Sequence, residues 1–106
     1  MNRGDIYWVD LNPTRGSEIN KHRSCVIISV NPINSARHTV VVVPLSTSAK
    51  PRPPIALAVH CLDQIATAVC DQIRTVDKTR LGKLAGKLSV KDLNSLENSL
   101  RQVLGL

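Results

Sequence analysis

The chain has 106 residues, with 14 Lys and Arg against 8 Asp and Glu, a formal net charge of +6 and an apolar fraction of 42%. That length fits one hydrophobic core and is too short for two, since an independent core usually needs on the order of 100 residues. The surplus of positive charge favours polyanionic partners such as nucleic acid, and with no Phe, one Trp and one Tyr the core has to be aliphatic.

The segment Ile6-Tyr7-Trp8-Val9-Asp10-Leu11 is rich in β-formers and is expected to be a strand that stops at Asn12-Pro13, where proline removes a backbone donor. A polar loop through Gly16 and His22 follows. Cys25-Val26-Ile27-Ile28-Ser29-Val30 then reads as a buried strand ending at Asn31-Pro32. Four β-branched residues, Val40 to Val43, predict a third strand that ends at Pro44. Beyond the loop around Pro51-Arg52-Pro53-Pro54, strands are expected over 55–59, 67–70 and 73–76. Gly82 and Gly86 make 81–88 a short bent strand or turn. Ser89 and Asp92 resemble a capping box, and Val90, Leu93, Leu96, Leu100, Val103 and Leu104 fall on one helical face until Gly105. The expected fold is therefore mainly β with a C-terminal helix, as a small curved sheet or partly open barrel in a single domain spanning residues 1–106.

Cys25, Cys61 and Cys70 are odd in number and lack paired metal-ligand spacing, so they read as buried thiols in a reducing compartment. The opening residues carry no apolar export segment, and no run approaches the ~18 apolar residues of a membrane span. A cytoplasmic protein without a membrane partner is expected.

Candidate chemistry gathers at the end of the first long loop, where Glu18, Lys21, His22 and Arg23 precede a buried strand. An arginine fork suits a phosphate and stays charged at any relevant pH, so Arg23 fits an electrostatic clamp better than a proton donor. His22 is an acid or base candidate by its ordinary pKa. Asp71 leaves an apolar run, where partial desolvation can favour its protonated form. Ser46, Thr47 and Ser48 offer hydroxyls after the third strand, whereas His38 and His60 read as structural. No phosphate-loop, zinc or calcium spacing is present, so catalysis is expected to use side chains without metal or cofactor.

Four segments, in this order, resemble the MazF/PemK/Kid toxins: Arg3-Gly4-Asp5-Ile6-Tyr7-Trp8-Val9-Asp10-Leu11-Asn12-Pro13-Thr14-Arg15-Gly16-Ser17-Glu18, then Lys21-His22-Arg23, Val43-Pro44-Leu45-Ser46-Thr47 and Cys70-Asp71-Gln72-Ile73-Arg74. The resemblance implies an SH3-like, partly open barrel of the CcdB/PemK type. It also implies a homodimer, metal-independent cleavage of single-stranded RNA by the substrate's 2′-hydroxyl, and a cognate MazE-like antitoxin. By the same resemblance Arg23, Ser46, Asp71 and Glu18 are the catalytic set. Arg15, Lys21, His22, Thr47, Ser48, Lys50, Arg52 and Arg74 are the expected RNA contacts. Three positions depart from the pattern: Ser24 stands where a proline is usual, Val69 where some members carry arginine, and Ser17 where some carry histidine. Rival readings are a non-nuclease toxin on the same barrel, poisoning gyrase by protein contact, and an RNA-binding relative with weakened catalysis.

Overall fold

The computed structural model describes residues 1–19, 21–61 and 63–106. Seven strands, β1 (Asp5–Asp10), β2 (His22–Ile27), β3 (Thr39–Ser46), β4 (Ala56–Cys61), β5 (Gln64–Val69), β6 (Arg74–Asp77) and β7 (Leu81–Lys87), form one antiparallel sheet. Its order is β4-β5-β3-β2-β1-β7, with β6 also paired to β3. Among the described residues two α-helices accompany the sheet, α1 (Asn31–Ala36) and α2 (Val90–Leu104), with two short 3-10 turns at Cys70–Gln72 and Lys78–Arg80. This is the curled half-barrel with a terminal helix that the strand pattern implied.

The central strands read as unbroken apolar runs because both of their faces are buried. Val26, Val43 and Leu45 point into a core with Ile6, Leu88, Leu96 and Leu100. On the other face Cys25, Ile27, Val40 and Val42 pack with Val9, Leu11 and Val76. Strand β3 serves both sides by changing partners along its length: 39–42 pair with β6, and Leu45 and Ser46 pair with β5.

That exchange explains the first correction. Strand β3 runs through Pro44 to Ser46 instead of ending at the proline. Pro44 registers with Cys25 on one side, while on the other it lies between the last β6 pair at Val42 and the first β5 pair at Leu45. A missing donor costs little where the strand has no partner. Helix α1 begins at Asn31-Pro32, where the sequence predicts only the end of a strand. Pro32 sits in its first turn, where a backbone N–H would be unbonded anyway, and Asn34 anchors it by donating to the Ser29 carbonyl (2.9 Å).

Helix α2 begins and ends as read. Ser89 Oγ accepts from the Asp92 N–H (3.1 Å), and Gly105 adopts the left-handed conformation (φ +71°) that only glycine takes without strain. Its buried face is rotated from the apolar pattern, however. Asp92 and Ser99 are buried, whereas Val90 is 76% exposed and Leu104 half exposed. Asp92 turns inward because its carboxylate accepts from the His60 N–H (2.8 Å) and lies 3.2 Å from His60 Nδ1, so the helix is pinned to edge strand β4. His60, expected to be structural, is thus one half of this clasp. The opening Arg3-Gly4-Asp5 block is structural: Arg3 bonds Glu97 of α2 (2.7 Å) and the Ile28 carbonyl (2.9 Å), and Gly4, at φ +91°, bridges Ile27 and Leu88.

Candidate functional site

The loop between β1 and β2 is folded against the sheet. Its neck is closed by the Leu11 N–H donating to the Lys21 carbonyl (3.0 Å) and by the Lys21 N–H donating to Asn12 Oδ1 (3.2 Å). Within it, Glu18 Oε1 accepts from the Arg15 N–H (2.6 Å) while its own N–H returns to the Arg15 carbonyl (3.1 Å). Gln72, at the end of a short 3-10 turn Cys70–Gln72, clamps the loop from outside. Its Oε1 accepts from the Ile19 N–H (2.7 Å), and its Nε2 donates to the Ser17 carbonyl (3.3 Å). Nothing in the sequence reading singled out Gln72; a polar residue beside the acid of a short motif was the one available signal.

This clamp brings Glu18 and Asp71 to one cleft of about 350 Å³, with Arg74 on its wall and Pro44 at its base. Arg74 is itself held by the Leu11 carbonyl (3.2 Å). Asp71, although it follows an apolar run, is exposed to solvent. Burial acts instead on two thiols: it pushes Cys25 up to about 12, opposed by nearby Arg74, and Cys70 up to about 11, with the Asp71 charge adding to the rise. Both are inert neutral thiols near neutrality.

A second, smaller cleft of about 110 Å³ lies beside it. His22, Arg23 and Ser24 line it, and all three belong to β2, which begins at His22 and not at Cys25. Thr47 and Trp8 complete the wall. Arg23 is therefore carried on a strand registered with β1, opposite Val9, and needs no loop to aim it. Ser24, the departure from the family's proline, lines this cleft together with Cys61; burial raises that thiol and the neighbouring Ser24 opposes the rise.

The two clefts flank the end of β3, because Pro44 faces one and Leu45 the other. Ser46 lies between them and is buried. Its hydroxyl accepts from the Ser48 N–H (3.3 Å) and the Ala49 N–H (3.1 Å), and Thr67 Oγ1 donates to the Ala49 carbonyl (2.9 Å). Ser46 thereby shapes the turn that presents Thr47. Arg15, Lys21, Ser48, Lys50 and Arg52 are exposed and line neither cleft. Among the described residues no group of three His, Cys, Asp or Glu side chains is placed to hold a metal. Nor is any described helix long and apolar enough to cross a membrane.

Arginines and carboxylates thus line two clefts at the end of one strand of a curled barrel. The family of PemK-like, MazF-like toxins of type II toxin-antitoxin systems matches residues 2–104, and this chain belongs to it. It is 34% identical to the endoribonuclease MazF of Staphylococcus saprophyticus, covering 100% of this chain and 92% of that one. It is 31% identical to the endoribonuclease MazF9 of Mycobacterium tuberculosis, covering 100% and 98%. Among solved structures, a mycobacterial endoribonuclease in complex with its cognate antitoxin superposes with a TM-score of 0.84 at 27% identity, covering 100% of this chain and 96% of that one. MazF from Deinococcus radiodurans shares the fold, with a TM-score of 0.89 at 19% identity over 100% and 97% of the two chains.

Proposed function

We propose that this chain is a single-domain endoribonuclease toxin that cuts single-stranded RNA in the cytoplasm without a metal ion. The observation that carries the reading is the convergence of Glu18 and Asp71 with Arg74 in one cleft, and of Arg23 with His22 and Thr47 in the next, on either side of the same strand end. A barrel toxin acting by protein contact alone has no use for such a grouping.

The reaction needs a base, a phosphate clamp and an acid. Asp71, exposed and acceptor-only when ionised, takes the proton of the substrate's 2′-hydroxyl, with Glu18 as the alternative base. The freed oxygen attacks the adjacent phosphorus. Charge then builds on the phosphoryl oxygens, where the fixed guanidinium of Arg23 stabilises it more strongly than it does the ground state. Ser46 has both acceptor directions occupied by backbone N–H groups and keeps its own proton to donate, to Ser48 or to a phosphate oxygen. The P–O5′ bond breaks, and His22 or water protonates the leaving oxygen. The products are a 2′,3′-cyclic phosphate and a 5′-hydroxyl.

Two partners belong to the proposal. A second copy of the chain covers the apolar groove of about 380 Å³ where Ile28, Val30, Ile73, Leu100, Leu104 and Leu106 meet, since an exposed apolar patch of this kind marks an interaction surface. A cognate MazE-like antitoxin supplies an acidic segment with a few apolar anchors, complementing the +6 chain. End-group analysis of the RNA fragments tests the chemistry. Cyclic 3′ phosphates that disappear with Asp71→Asn or Glu18→Gln support the assignment; 5′-phosphate and 3′-hydroxyl ends would overturn it.

A further inference from the structure

Trp8 is the largest aromatic of a chain with no Phe and one Tyr, and it stands 42% exposed in the middle of β1. Strand neighbours normally cover such a ring. Here they do not: Ser24 sits opposite it on β2, and on the β7 side Gly82 packs so close that an added Cβ would lie 3.4 Å from the Trp8 carbonyl oxygen. A serine and a glycine leave the indole open on both flanks. It lines the 110 Å³ cleft together with the apolar Leu45, Cys61 and Ala66 and with the polar Gln64. Arg23 lines the same cleft.

A flat aromatic side chain, an apolar lining and one amide carrying both donors and an acceptor suit a planar, edge-polar ring. Unstacked RNA bases are bound in this way, by stacking on an aromatic while side chains read the base edge. We infer that this cleft takes one nucleobase of the RNA substrate, flipped out beside the phosphate at Arg23, with Trp8 as its stacking platform and Gln64 reading its edge. The inference rests on the nuclease reading and adds to it a specificity-determining pair. It places sequence selection at one position of the cleavage motif inside the barrel wall, apart from the exposed loops.

The chain's single tryptophan makes the test direct. An RNA oligonucleotide carrying the mapped cleavage motif, with a 2′-deoxy sugar at the scissile nucleotide, is titrated into the protein while indole fluorescence and anisotropy of a labelled RNA are read together. Saturable fluorescence quenching in step with anisotropy is expected. An abasic substitution at one motif position, or Trp8→Ala with unchanged circular dichroism, weakens binding by about 5- to 150-fold, and Trp8→Phe retains most of it. Gln64→Glu changes the preferred base at that same position in cleavage mapping and at no other. Full RNA binding with silent indole fluorescence, or an unaltered motif in Gln64→Glu, overturns the inference while leaving the nuclease standing. A folded protein that neither binds nor cuts any RNA overturns both.

Discussion

Replacing Gln72 with alanine removes the clamp on the β1–β2 loop and leaves the barrel core untouched. Two bonds go: the 2.7 Å bond from the Ile19 N–H, partly buried, and the 3.3 Å bond to the Ser17 carbonyl, which is exposed. A typical intramolecular hydrogen bond contributes about 0.5–1.5 kcal/mol net, and water replaces the exposed partner readily. The loop therefore loses about 1–2 kcal/mol of local order, equivalent to a roughly 5- to 30-fold larger open population. Amide hydrogen exchange at Ile19 should accelerate by that factor, while core amides on β2 and β3 keep their protection. Because Glu18 hangs on the same loop, RNA cleavage should fall in proportion to the loss of the closed population, and by no more than that factor. Unchanged exchange at Ile19, or uniform acceleration through the core, would refute the clamp.

Other consequences are as concrete. Leu96 is fully buried and Val90 is 76% exposed, so Leu96→Ala should cost about 2–5 kcal/mol in urea unfolding while Val90→Ala stays within about 0.5 kcal/mol; equal effects would mean that the helix presents the other face. The Asp77 carboxyl is held below the usual range by the Thr79 backbone N–H (2.8 Å) and then by its hydroxyl (2.7 Å). A lowered folded value means a contribution present above the unfolded carboxylate value of ~3.9 and lost as pH falls through the folded one. Thr79→Val should move the Asp77 carboxyl titration, followed by carbon-13 NMR, back toward the ordinary range. Buried Cys25, at about 12, works in the opposite sense: its contribution is complete below the unfolded thiol value and lost as pH climbs toward the folded one. Urea midpoints should decline above the unfolded value of ~8.5, less steeply in Cys25→Val; parallel declines would reject the thiol as the cause.

Much of this architecture could be read from the sequence, because the strands and the helix announce themselves by period. Val40 to Val43 can hardly be anything but strand, and Ser89 and Gly105 mark the helix ends by capping chemistry alone. What escaped depends on tertiary partners. Pro44 continues a strand because of the gap between β6 and β5, and Asp92 replaces Val90 on the inner face because His60 waits there. The β4–β5 hairpin turns without glycine, with Asp63 in the left-handed conformation (φ +62°), so the usual turn signal was missing. The candidate site divides along the same line. Arg23, Glu18 and Asp71 were legible as candidates from their residue types and place in the chain, and motif resemblance grouped them as one set, whereas Gln72, Gln64 and the exposure of Trp8 depend on which residues the barrel brings together.

The most direct test of the central claim is cleavage of a long single-stranded RNA in EDTA by this protein and by Arg23→Ala, with the new 5′ ends sequenced. Cuts at a short recurring motif, unaffected by the chelator and reduced about 10²- to 10³-fold in the variant, are expected from an electrostatic clamp on the scissile phosphate. Undiminished cutting by Arg23→Ala, or cutting that ceases in EDTA, would contradict the account.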